Sequence, residues 1–117
     1  MIHTDLEVYK RSLHLVKKIY QITSSYPKTE VWGLTNQMRR AAISIPSNIA
    51  EGSGRNSTKE LIQYINIALG SLAELEAQLD VSLLLDYIND IGMKLIKDEI
   101  TIIRKMLLNL KKSIKCT

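Results

Sequence analysis

The sequence predicts an all-α protein: an antiparallel up-down-up-down four-helix bundle, one domain over residues 1–117. Composition is the first reason. There is no Phe, only two Pro and five Gly, and Leu and Ile supply the apolar bulk; few turn formers and many straight-chain residues favour helix. Periodicity is the second: apolar residues recur three and four positions apart through four long segments, as in helices with one buried face. The third is the shortness of the breaks between segments, which makes consecutive helices antiparallel neighbours.

The first helix spans about Leu6 to Ser24. Thr4 and Glu7 have capping-box spacing. Leu6, Tyr9, Leu13, Val16 and Tyr20 make its apolar stripe, widened by Val8, Leu15, Ile19 and Ile22, and Tyr26-Pro27 ends it.

The second helix starts near Thr29 or Glu30 and ends at Gly52 to Gly54, with a kink expected at Pro46, which lacks an amide donor and crowds the carbonyl of Ala42. Two helices, the second capped by Ser44, are the alternative. At about 100° per residue, Gln37, Arg40, Ser44, Ser47, Asn48 and Glu51 form a narrow polar stripe. Val31, Leu34, Met38, Ala41, Ile45 and Ile49 flank it on one side; Trp32, Ile43, Pro46 and Ala50 flank it on the other. A helix with apolar residues on both sides of a thin polar line is covered on two sides, which points to assembly.

The third helix opens with the capping box Ser57 to Glu60 and ends near Asp86 to Ile88. Its a/d stripe is Leu61, Ile65, Ala68, Leu72, Leu75, Leu79 and Leu83, and Gly70 and Ala73 permit close approach of a neighbouring helix. The fourth runs from Asn89 or Asp90 to about Ile114, with Ile91, Leu95, Ile102, Met106 and Leu110 as its stripe, broadened by Ile96, Ile103 and Leu107.

Net charge is +4, unevenly spread: +3 over residues 1–28, +1 over 29–56, −5 over 57–91 and +5 over 92–117. Such polarity points to electrostatic partners. The only histidines, His3 and His14, sit in the terminal segment and on a polar face; both are expected in solvent. The lone Cys116 makes no internal disulfide, and no Cys/His set has metal spacing. GSGR at 52–55 lacks the lysine of a phosphate-binding loop and reads as a helix stop. No apolar run is long enough to span a membrane and no secretory leader is evident, so the expectation is a cytoplasmic, non-enzymatic protein without cofactor or metal.

Two clusters carry the candidate function. Glu76 falls on an apolar seam, where a carboxylate needs a partner. The hairpin register brings Arg40 to Glu74 or Glu76, with Gln37, Ser44, Asn48 and Glu51 extending a polar seam. The second cluster is the basic faces of the first and fourth helices: Lys10, Lys17, Lys18, Lys94, Lys97, Arg104, Lys105, Lys111 and Lys112. Merged, they would bind RNA or DNA through phosphates, in a salt-dependent and sequence-independent way. The plainer reading is a solvated face, or attraction to the acidic third helix of a neighbouring subunit. No aromatics interleave these cations, which argues against single-strand preference.

The segments GLTNQMRRAAISIPSNIAEGSGR (33–55) and IALGSLAELEAQL (67–79), with LEVYKRSLHLVKKIY (6–20), resemble the four-helix-bundle proteins encoded within intervening sequences of bacterial 23S ribosomal RNA genes. The resemblance implies homopentameric rings. It also implies kinship with the accessory protein of diversity-generating retroelements, a basic pentamer that binds nucleic acid and a reverse transcriptase. It implies no catalytic residue. Leu69 departs from it, standing where the family often carries Arg. The expected partners are therefore further copies of the chain, nucleic acid, and in the rival reading a protein for which this bundle is a scaffold.

Overall fold

A computed structural model describes residues 3–115; Cys116 lies outside them. Four helices carry the fold: α1 (Glu7–Thr23), α2 (Leu34–Ser53), α3 (Thr58–Leu84) and α4 (Asp90–Lys115), with short 3-10 turns at His3–Asp5 and Lys28–Glu30. They pack as a bundle of 46 × 25 × 20 Å in which each helix touches the next and α4 returns to α1. Contacts run in opposite order along α2 and α3, where Ser44 meets Ser71 and Met38 meets Ser82. The helix α2 continues unbroken through Pro46, so the two-helix alternative falls.

Leu15 and Ile19, Met38, Ile45 and Ile49, Ile65, Leu72, Leu75 and Leu79, and Ile100, Ile103 and Leu107 fill the centre and are fully buried. The predicted stripes of α2 and α3 point inward as expected, except for Val31, which precedes α2 and is 47% exposed. Those of α1 and α4 are displaced. Val8, Leu15 and Ile19 face the core of α1, while Leu13 and Tyr20 lean out, 45% and 39% exposed. In α4 the core face is Met93, Ile96, Ile100, Ile103, Leu107 and Ile114, and Ile91 and Leu95 are 74% and 65% exposed. The cause in α1 is polar camouflage. Ser12 and Thr23 are buried core positions whose hydroxyls bond back to the carbonyls of Tyr9 (2.6 Å) and Ile19 (2.7 Å).

The helix ends show which local signals hold. Ser57 caps α3, accepting from the Glu60 amide at 3.1 Å. Asn89 caps α4 by accepting from the Gly92 amide at 2.8 Å. The Thr4–Glu7 box does not form: the turn at His3–Asp5 shifts the cap position to Leu6, which makes no side-chain cap bond. Glu30 does not begin α2. It supplies the cap, its Oε1 accepting from the Leu34 amide at 3.3 Å, where a carboxylate also meets the positive end of the helix. Its Oε2 accepts from the Tyr87 hydroxyl at 3.0 Å, tying the start of α2 to the α3–α4 connection. That connection is a Schellman turn: the Tyr87 amide bonds Ser82 O, the Asp86 amide bonds Leu83 O, and Asp86 takes the left-handed conformation at φ 61°. Close approach of α2 and α3 falls at Gly52, where an added Cβ would meet Tyr64 Cβ at 2.9 Å and Leu61 Cδ1 at 3.1 Å. Around Gly70 the same test finds open space.

Candidate assembly and nucleic-acid surfaces

The polar stripe of α2 divides among three surroundings. Its centre is internal: Ser71 on α3 donates to Ser44 Oγ at 2.8 Å, and Asn48 Nδ2 donates to Ser44 O at 2.7 Å and to Ser44 Oγ at 2.9 Å. Towards the start of α2, exposed Gln37 and Arg40 border an open cleft shared with Ser44, Ser71 and Glu74. At the other end Glu51 pairs with Arg55 at 2.5 Å, and Arg55 also donates to the Tyr64 hydroxyl at 2.8 Å. Tyr64, then Glu51, hold the Arg55 guanidinium above its ordinary pKa.

Glu76 is paired, with a different residue from the one expected. Its partner is Arg104 of α4, and both side chains are about 30% exposed. Arg40 and Glu74 border one cleft without an ion pair; among the described residues Arg40 meets no carboxylate within salt-bridge range. The reason is register. A hairpin turning at Ile88–Asn89 sets Asp80 against Lys97 (2.6 Å), Glu76 against Arg104, and Asn66 against Lys111 (2.7 Å). The expected Arg40 pairing followed from the α2–α3 hairpin alone; counting outward from the α3–α4 turn sets these α3 and α4 residues opposite one another.

The ladder changes the basic surface. Lys97, Arg104 and Lys111 are engaged with α3, and Lys94 pairs with Asp98 one turn on at 3.3 Å. Arg11 forms a two-bond pair with Glu99 (3.0 and 3.2 Å), which raises its pKa. Lys10, Lys17, Lys18, Lys105 and Lys112 stay exposed and outside these pairs. His14 is exposed; His3 is half-buried, edge-on to Tyr9 at 4.8 Å.

Two further features lie along α1 and α2. Tyr9, Leu13 and Val16 with Ile43, Pro46 and Ala50 line an apolar furrow. Beyond Ile43 the furrow gives way to a cleft of about 370 Å³ bordered by Lys28, Trp32, Arg39 and Arg40. Arg39 lies over the Tyr20 ring at 4.4 Å, its Nε donating to Thr23 Oγ1 at 3.0 Å and its Nη2 to Tyr20 O at 3.4 Å. Trp32 is 88% exposed. Trp32, expected on the apolar flank of α2, lies in the connection before it and lines one cleft with Arg39, which no spacing along the chain singled out.

Among the described residues no three His, Cys, Asp or Glu side chains gather as a metal site would require, and no helix is long and apolar enough to cross a membrane.

The chain matches the family described as 23S rRNA-intervening sequence protein over residues 4–109. It belongs to that family. A crystal structure of a protein of unknown function from the S23 ribosomal protein family of Bacteroides thetaiotaomicron VPI-5482 is similar to it. That similarity has a TM-score of 0.82 at 26% identity and covers 90% of this chain and 95% of that one. No curated protein matches significantly. In this intervening-sequence protein the motif residues Ser44, Gly52 and Ser71 join α2 to α3, and Asn48 holds Ser44 from one turn along α2. Leu69 is half-buried and packs against the core.

Proposed function

We propose that this intervening-sequence protein is a non-enzymatic helical scaffold that closes into a homo-oligomeric ring, five-membered as the resemblance implies, and holds nucleic acid weakly through phosphates. The furrow along α1 and α2 carries the reading. Leu13 and Ile43 are 45% and 41% exposed on its walls, and a ring offers each copy a neighbour for such a surface through one head-to-tail contact. The polar cleft of Gln37, Ser44, Ser71 and Glu74 lies on the other flank of α2 and takes no part in that contact.

The phosphate contacts fall to Lys10, Lys17, Lys18, Lys105 and Lys112. Affinity for any RNA then falls steeply with added salt, and replacing Lys105 and Lys112 by Ala flattens the dependence by about two charges. Leu13→Glu yields monomers in size-exclusion chromatography with light scattering. Undiminished assembly by Leu13→Glu counts against the furrow, and undetectable RNA binding at low salt counts against the phosphate contacts.

A second reading has its own observation. Leu84, Ile91 and Leu95 are 80%, 74% and 65% exposed around the α3–α4 connection. This end of the bundle suits a protein partner for which the ring is a scaffold, and substitutions there would leave assembly intact while releasing that partner.

A further inference from the structure

We propose that the cleft between Trp32 and Arg39 binds one nucleotide of a single strand of nucleic acid, the base stacking on the Trp32 indole and its phosphate lying on Arg39, Arg40 and Lys28. The proposal rests on the nucleic-acid part of the proposed function but places specificity at a different site from the lysines of α1 and α4.

Charge comes first. Three cations border the cleft and no carboxylate does. Neither Arg39 nor Arg40 has a carboxylate in salt-bridge range among the described residues. Glu74, across Arg40, borders the neighbouring cleft instead. The chemistry left open is therefore that of an anion.

Preorganisation comes second. Stacking on Tyr20 and the bonds to Thr23 Oγ1 and Tyr20 O fix the Arg39 guanidinium. The bonds use Nε and Nη2, so Nη1 keeps its donors for a ligand. A guanidinium held in this way gives planar, directional contacts to phosphate oxygens with little further loss of side-chain freedom.

The third observation selects the ligand. An indole 88% exposed beside those cations offers a stacking face to a base, which a free phosphate or an acidic peptide does not use. A duplex buries the faces of its bases, so the site selects single strands; the lysines discriminate less, since they read phosphate alone. The cleft, at about 370 Å³, is at the small end of the range for ligand sites and has room for one nucleotide unit.

Trp32 is the only tryptophan, so its fluorescence reports this site alone. Full-length protein is titrated at low salt with a short oligouridylate and with a duplex RNA of equal length, following Trp32 emission and, separately, the anisotropy of labelled RNA. The expected result is saturable quenching by the single strand and none by the duplex. Trp32→Leu and Arg39→Ala each lower single-strand affinity about tenfold and leave duplex affinity unchanged, the range expected for loss of one stacked base. Binding without quenching, or an equal loss for both probes in Trp32→Leu, overturns the site while the lysine reading stands. Binding of neither probe overturns both. A shift in Trp32 emission on diluting the protein without RNA means that a second copy covers the indole, and also overturns the site.

Discussion

Arg104 of α4 holds Glu76 of α3, and the pair sits in the middle of a ladder that joins the two helices between Asp80–Lys97 and Asn66–Lys111. Because both partners are about 30% exposed, the pair is neither a free surface bridge nor a buried one. Arg104→Ala strands Glu76 on its seam and should cost about 1 kcal/mol, lowering the melting temperature by roughly 5 °C. Arg40→Ala removes no such pair and should change stability by less than about 0.5 kcal/mol. Thermal melts of the two variants and the double mutant check both values.

Two of the helical glycines, Gly52 and Gly70, should respond in opposite senses. Gly52→Ala drives a methyl into the Tyr64 backbone-proximal carbon and Leu61, and should destabilise by about 1–3 kcal/mol. Gly70→Ala meets nothing and should stabilise the isolated subunit by about 0.5–1 kcal/mol through helix propensity. Urea denaturation of each variant gives the sign directly. If Gly70→Ala instead weakens the oligomer, a neighbouring subunit approaches α3 there.

Asp86 supplies the left-handed residue that ends α3, a conformation costly for any residue with a side chain. Asp86→Gly should raise stability by about 0.5–1 kcal/mol without moving the turn. Asp86→Val should lower it, and equilibrium unfolding orders the three proteins.

Alkaline pH should destabilise the fold. Burial raises the Tyr26 phenol, and the hydrogen bond to Glu30 raises that of Tyr87. A raised folded pKa means that the unfolded chain releases its protons first, so these groups stabilise fully below the ordinary phenol value, about 10, and progressively less above it. Stability measured from pH 8 to 11 should fall above about 10, and Tyr87→Phe should make the fall shallower.

The number of helices and the faces of α2 and α3 were legible because their apolar positions keep strict period and their caps are local. The faces of α1 and α4 were not. Ser12 and Thr23 occupy core positions there as polar letters, while Leu13, Ile91 and Leu95 are apolar letters on the surface. The same exposure limited the candidate site. The sequence marks Arg40, Ser44 and Asn48 as one stripe, but only side-chain reach across hairpins decides that Ser44 meets Ser71 and that Glu76 meets Arg104. The Arg39–Tyr20–Trp32 corner joins residues from two helices and a connection, and no spacing along the chain announces it.

Assembly is the claim on which the functional reading rests, and native mass spectrometry of the full-length protein at micromolar concentration tests it most directly. The account predicts a closed multiple of the 13.3 kDa subunit, five copies by the family resemblance, which Leu13→Glu reduces to single subunits. A wild-type protein that is monomeric at that concentration, furrow and all, would contradict it.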